Sequence, residues 1–128
     1  MNVVDSSGWL EFFADGANSA FFAEPITRTE RLIVPSISLL EVFKRVLHQR
    51  GENAALQAVA HMRQGSVIDL DGDLALAAAH LSLRHKLPLA NSVMLATARR
   101  LGAALWTQDS DFEGIEGVRY IGKSVTKR

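Results

Sequence analysis

The chain has no cysteine, only three prolines and no long apolar run. Without cysteine it cannot form a disulfide framework or a thiolate zinc site, and its composition fits a reducing cytoplasm. No window reaches the roughly 20 apolar residues that a membrane span needs, and the first residues, MNVVDSSGW, lack the features of a secretory signal. An excess of one charge is also missing, since 14 Lys and Arg residues balance 14 Asp and Glu residues. We therefore expect a cytoplasmic protein without a membrane segment, in which any nucleic-acid binding uses local basic patches.

The length of 128 residues and the hydrophobic content of 48% predict one domain, residues 1–128, with a substantial core and a frayed basic tail at 122–128. Short apolar or β-branched runs predict strands at 2–5, 31–34, 66–70, 103–107 and 118–121. Apolar residues at helical spacing predict helices at 36–50, 53–64, 73–85 and 91–101. Strands that alternate with helices and are apolar on both faces predict an α/β fold, a three-layer α/β/α sandwich around a parallel sheet.

Several polar residues stand where predicted strands end or the following helices begin. Asp5 ends the first strand, Glu41 lies early in the helix after the second strand, and Asn91 opens the helix after LPLA. Asp109 follows the strand AALWT, and Asp111 lies two residues further on. Ligands of open parallel sheets bind beyond the carboxyl ends of the strands. These five residues are therefore the first candidates for a functional site.

Each candidate also has a structural explanation. Asp5, Asn91 and Asp109 could each cap a helix or turn, and Ser38 with Glu41 matches a capping box. Taken singly, the structural explanations are stronger. However, four independent caps need not converge on one edge of a sheet, whereas the ligands of a metal ion must converge. The convergence favours a functional site.

The candidate ligands are oxygen atoms, which suit a hard cation such as Mg²⁺ or Mn²⁺. The histidines are His48, His61, His80 and His85. They form no metal-ligand motif and are expected on helices or the surface. The segment DLDGDLALAAAH, from Asp69, resembles a calcium loop only superficially, because it lacks the turn glycine and the final glutamate. It is predicted to be a strand end and a helix cap.

Four segments in this order resemble the PIN-domain ribonucleases, and specifically the VapC-type toxins of type II toxin–antitoxin pairs. They are VVDSSGWLEFF, VPSISLLEVFKRVL, LPLANSVMLATARRLGAALWTQDSDFEGI and the closing GVRYI, so the resemblance is nearly end to end. It implies a PIN-like fold, a homodimer, Mg²⁺- or Mn²⁺-dependent cleavage of RNA, and neutralisation by a cognate antitoxin. By position, it assigns catalysis to Asp5, Glu41, Asn91 and Asp109, and metal binding to Asp5, Asn91 and Asp109. Ser7 and Thr107 would be polar supports, and Asp111 an accessory residue.

Asn91 departs from the family pattern, which has aspartate at this position. An amide keeps a carbonyl oxygen for coordination but removes a full negative charge that would face the cation. Either the natural protein tolerates this loss, or the chain is a variant that silences a toxic nuclease. We expect this form to be inactive or weakened in either case, and the alternative function is a non-catalytic PIN-fold module that binds proteins.

The expected partners are RNA, an antitoxin and a second copy of the chain. RNA would meet local cations chosen from Lys44, Arg45, Arg84, Lys86, Arg99 and Arg100. An apolar antitoxin helix is expected near the helices at 9–22 and 36–50. Five aromatic residues cluster there, Trp9, Phe12, Phe13, Phe21 and Phe22. The alternative is that these rings fill the core.

Overall fold

The computed structural model describes residues 1–123, which form a parallel sheet with helices on both faces. The strands are β1 (Asn2–Val4), β2 (Leu32–Pro35), β3 (Ser66–Ile68), β4 (Ala104–Thr107) and β5 (Val118–Tyr120). The helices are α1 (Ser6–Phe13), α2 (Ser19–Ile26), α3 (Ser36–Arg50), α4 (Glu52–Met62), α5 (Gly72–His85) and α6 (Leu89–Arg100). Residues 124–128 of the predicted tail, including Lys127 and Arg128, lie outside the described residues.

The order of the strands creates a crevice at the centre of the sheet. The order is β3-β2-β1-β4-β5, and every neighbouring pair is parallel. The chain begins in the middle with β1, runs outward through β2 and β3, and then returns to the other side of β1 with β4 and β5. The connections that leave β1 and β4 therefore diverge, which opens a crevice at their carboxyl ends.

Alternation along the strands divides the core into two layers. Val3 and Leu105 pack against α5 and α6, whereas Val4 and Trp106 point to the opposite face and pack against α1 to α4. Successive side chains of a strand point to opposite faces, so each central strand contributes to both layers. The predicted three-layer α/β/α sandwich is confirmed.

The aromatic cluster belongs partly to this core. Trp9 and Phe22 are fully buried, while Phe12, Phe13 and Phe21 are only partly buried and pack at the edge of the same layer. The predicted helix at 9–22 is wrong, because a loop in which Asp15 has a positive φ of 52° separates the end of α1 from the start of α2. The alternative that the rings fill the core thus holds for two of the five, Trp9 and Phe22.

A proline precedes both α3 and α6, and neither helix has the cap that the sequence suggested. α6 begins at Leu89, after Pro88, so Asn91 lies inside the first turn and does not cap the helix. α3 begins at Ser36, after Pro35, and the side chain of Ser38 is buried without a hydrogen-bond partner in the described part of the chain. The predicted capping box is therefore wrong. None of the helices within residues 1–123 is long and apolar enough to cross a membrane.

Candidate active site

A cavity of about 720 Å³ opens at the carboxyl ends of β1 and β4. Its lining includes Asp5, Glu41, Asn91 and Asp109, which the sequence placed at separate strand and helix ends. Asp5 follows β1 and Asp109 follows β4. Glu41 lies in the second turn of α3, and Asn91 lies in the first turn of α6. The topology of the sheet therefore brings residues from four elements to one place.

Asp5 is both a helix cap and a buried acid. Its carboxylate accepts hydrogen bonds from the Gly8 amide (2.9 Å), Ser7 Oγ (2.8 Å) and Thr107 Oγ1 (2.7 Å). Burial raises the pKa of Asp5 to about 6, and the nearby charge of Asp109 adds to this rise. The three hydrogen bonds oppose it, because they stabilise the ionised form. The same side chain thus caps α1 and places a buried carboxylate at the cavity.

Asp109 is held by bonds to both its backbone and its side chain. Its Oδ1 accepts a hydrogen bond from the Asp111 amide (2.9 Å) and thereby caps the 3₁₀ turn Ser110–Phe112. Its own amide donates to Thr107 Oγ1 (2.9 Å). Since the Thr107 hydroxyl also donates to Asp5, this threonine connects the two acids. Thr107 is therefore a support beneath the cavity, while exposed Asp111 contributes its backbone.

Glu41 is oriented by a neighbour that the sequence analysis did not assign to it. The hydroxyl of Ser6 donates to Glu41 Oε1 at 2.7 Å, which joins the start of α1 to α3. Ser6 itself is buried. The pair SS after Asp5 was the available signal, but the sequence could not show that one serine would face Asp5 and the other Glu41.

The acids do not form a preassembled metal cluster. Within residues 1–123, no three acidic or histidine side chains come close enough together to hold a metal ion. Asp5 and Asp109 interact electrostatically, and Asn91 supplies an amide instead of a third carboxylate. The oxygen donors of these three residues nevertheless fit the ligand chemistry of Mg²⁺ or Mn²⁺.

The cations around the cavity come from α3 and the segment after β5. Lys44, Arg45, Arg50 and Lys123 line it. Of the six cations that the sequence offered as RNA contacts, only Lys44 and Arg45 do so. Arg84, Arg99 and Arg100 line a separate cavity of about 620 Å³ between α5 and α6. Lys86 ends α5 with a positive φ of 55° and lines neither cavity.

These features define a class of α/β domain, in which a parallel sheet presents a carboxylate-lined cavity at its central crevice. The chain belongs to the PIN domain family, whose model matches residues 3–118. No curated protein sequence matches the chain at a significant level.

The fold is also shared with solved structures of low sequence identity. A toxin–antitoxin complex from Klebsiella pneumoniae has a TM-score of 0.79 and 22% identity, covering 93% of this chain and 96% of that one. VapC20 from Mycobacterium tuberculosis, a sarcin–ricin loop cleaving toxin, has a TM-score of 0.76 and 19% identity, covering 91% and 95%. VapBC-1 from nontypeable Haemophilus influenzae has a TM-score of 0.71 and 14% identity, covering 94% and 96%. The fold is thus the one seen in VapC-type toxins.

Proposed function

We propose that the chain is a Mg²⁺- or Mn²⁺-dependent endoribonuclease whose site is this cavity. The observation that carries the proposal is the pairing of Asp5 and Asp109 through Thr107 at the central crevice. Glu41 and Asn91 line the same cavity. Membership of the PIN domain family supports a nuclease activity.

Asp5, Asp109 and the carbonyl oxygen of Asn91 are the residues that would hold the cation. When bound, a divalent cation stabilises negative charge on the phosphate and on the leaving oxygen. A positive charge beside Asp5 would also favour its ionised form, which burial otherwise disfavours. A cation in this cavity would therefore stabilise the ionised form of Asp5.

The remaining residues orient water and substrate. Glu41, held by Ser6, can accept a hydrogen bond from the attacking water and direct it towards the phosphorus atom. Lys44 and Arg45 follow Glu41 along the same face of α3, where they can bind the neighbouring phosphates. Single-stranded RNA is the expected substrate, because unpaired nucleotides can enter a recessed site.

The test is cleavage of single-stranded RNA by the chain and by its Asn91→Asp variant. We expect weak cleavage with Mg²⁺ or Mn²⁺, stronger cleavage by the variant, and none after Asp5→Ala or addition of a chelator. Activity that persists in both the Asp5→Ala variant and the chelator would contradict the proposed site.

We propose further that the chain is a toxin that forms a homodimer and is neutralised by an antitoxin. Two of the similar structures are toxin–antitoxin assemblies by description. Partly buried Phe12 and Phe13 on α1, together with exposed Leu40 and Leu47 on α3, offer apolar surface to a helix. Co-purification with the product of the adjacent reading frame, followed by light scattering with and without it, tests both partners.

A non-catalytic binding module is the second candidate function. The amide of Asn91 donates to Asp109 Oδ2, so this carboxylate oxygen has a partner without any cation. In that case, the chain and its Asn91→Asp variant would both bind the antitoxin while neither cleaves RNA.

A further inference from the structure

Glu11 is a further acid that lines the cavity, and its carboxylate takes part in a hydrogen-bond network. Its Oε2 accepts from the backbone amide of Asn18 at 2.8 Å, and its Oε1 accepts from Gln108 Nε2 at 3.3 Å. One carboxylate therefore connects α1 to the loop before α2 and to the chain that follows β4.

The Gln108 side chain is fixed at both ends of its amide. Glu11 accepts from its Nε2, and Asn18 Nδ2 donates to its Oε1 at 2.9 Å. Asn18 and Gln108 are both buried, with exposed fractions of 6% and 7%. Buried amides have few alternative partners, so losing one of these bonds leaves a polar atom unsatisfied.

Gln108 stands directly between Thr107 and Asp109. Thr107 Oγ1 accepts a hydrogen bond from the Asp109 amide and donates one to Asp5. Because residue 108 joins Thr107 to Asp109, its backbone conformation affects how Asp109 lies relative to Asp5. Asn18 Nδ2 also donates to the carbonyl of Gly122 at 3.1 Å, next to Lys123 on the cavity wall. Glu11 lies on α1 and Asn91 on α6, and these two helices pack on opposite faces of the sheet.

We propose that Glu11 and Asn18 are positioning residues that hold Gln108 and thereby orient Thr107 and Asp109. Neither residue needs to touch substrate or cation for this role. The expected effect on metal binding rests on the proposed function. The orientation of Thr107 and Asp109 can be measured without any metal ion or substrate.

Hydrogen exchange of the free protein tests the positioning directly. In Glu11→Ala we expect the Asp109 amide proton to exchange at least about tenfold faster, while the amides of Val3 and Leu105 in the core keep their rates. Glu24→Ala is the matched control, since Glu24 makes an exposed ion pair with Arg28 on α2. An unchanged Asp109 rate, or an equal acceleration in the core, would overturn the proposal.

Gly16→Ala provides a second variant that leaves all three network residues in place. A Cβ at Gly16 would overlap the carboxyl group of Glu11, so the substitution should displace this group and accelerate Asp109 exchange as Glu11→Ala does. If Gly16→Ala leaves this rate unchanged, the orientation of Asp109 does not depend on Glu11.

Mn²⁺ titration separates this inference from the proposed function. With Asn91→Asp as the background, we expect Glu11→Ala to weaken Mn²⁺ binding by at least about tenfold, as is typical when a supporting residue of a metal site is removed. A loss of affinity in Asp5→Ala without any in Glu11→Ala would overturn the positioning role. If Asp5→Ala has no effect either, the proposed metal site is wrong, and the exchange rates still decide whether Glu11 positions Asp109.

Discussion

Asn91 donates a side-chain N–H to Asp109, with 3.1 Å between Nδ2 and Oδ2. A neutral amide therefore stands where a second carboxylate would repel Asp109 unless a cation lay between them. This contact stabilises the site without a metal ion, and it connects the stability of the chain to its expected activity.

Replacement of Asn91 by aspartate should lower the stability of the metal-free protein and raise its affinity for the metal ion. Without metal, Asn91→Asp should lower the free energy of unfolding by about 1–2 kcal/mol, because a hydrogen bond is replaced by repulsion. Mg²⁺ or Mn²⁺ should restore stability as it binds the folded state. Thermal unfolding with and without metal measures both effects.

Asn53→Asp is the matched control for this exchange, because Asn53 is exposed on α4 and the change adds the same charge. It should show no metal-dependent recovery. Equal responses of the two variants to metal would mean that position 91 is not part of a metal site.

The raised pKa of Asp5 predicts a pH-dependent gain in stability for Asp5→Asn. An acid with a pKa of about 6 when folded and 3.8 when unfolded binds its proton more tightly in the folded state. Its ionisation therefore costs stability as the pH rises from about 4 through 6. Asp5→Asn should be more stable than the parent at pH 7.5 by roughly 1–3 kcal/mol, since one pKa unit equals about 1.36 kcal/mol.

Below about pH 3 the two proteins should unfold at similar denaturant concentrations, because Asp5 is then protonated in both the folded and the unfolded state. Urea titrations at several pH values give this comparison. A stability difference that is independent of pH would show that burial does not raise the pKa of Asp5.

The hydroxyl of Thr107 should stabilise the fold through its hydrogen bonds and not only through packing. Thr107→Val removes the donor to Asp5 and the acceptor for the Asp109 amide, and should cost about 2–3 kcal/mol. It should also raise the pKa of Asp5 further, since the bond from Thr107 lowers it. Thr107→Ser, which keeps the hydroxyl, should retain most of the stability in urea unfolding. Equal losses in the two variants would assign the effect to packing.

Gly8 should tolerate no side chain. A Cβ there would lie 2.5 Å from Phe22 Cε1 and 2.7 Å from Val4 Cγ1, both in the buried layer beneath α1. Gly8→Ala should destabilise the fold by about 1–3 kcal/mol through overpacking. Gly72→Ala in the first turn of α5 meets nothing within 4 Å and should be neutral or slightly stabilising. Urea unfolding of the two variants measures this difference in stability. Equal stabilities would contradict the predicted overlap at Gly8.

The position of the cations predicts which of them bind RNA. Lys44→Ala with Arg45→Ala should weaken binding of single-stranded RNA and reduce its dependence on salt, with the slope falling by ~0.7 for each phosphate that is no longer bound. Arg84→Ala with Arg99→Ala should leave binding unchanged, because these residues line the other cavity. Fluorescence anisotropy at several salt concentrations distinguishes the pairs, and the reverse result would place RNA between α5 and α6.

The layers, the strands and the polar residues at the strand ends could be predicted from the amino-acid sequence. Alternating and helical spacing of apolar residues is a local property, so α3 at 36–50 could be predicted to the residue. The order of polar residues along the chain also sufficed to pick out Asp5, Glu41, Asn91 and Asp109. The start of α6 was predicted wrongly, since the helix begins at Leu89, directly after Pro88 and two residues before the amide that resembled its cap.

The contacts of each polar residue, in contrast, depend on the tertiary structure. Ser6 and Ser7 are neighbours of the same type, yet one bonds to Glu41, 35 residues away, and the other to Asp5. Asn91 bonds to Asp109, and Gln108 bonds to Asn18. These partners are distant along the chain, so local spacing could not indicate them. The physical reason is that secondary structure follows from interactions over a few residues, whereas hydrogen bonds between distant polar groups depend on how the parallel strands bring separate loops together.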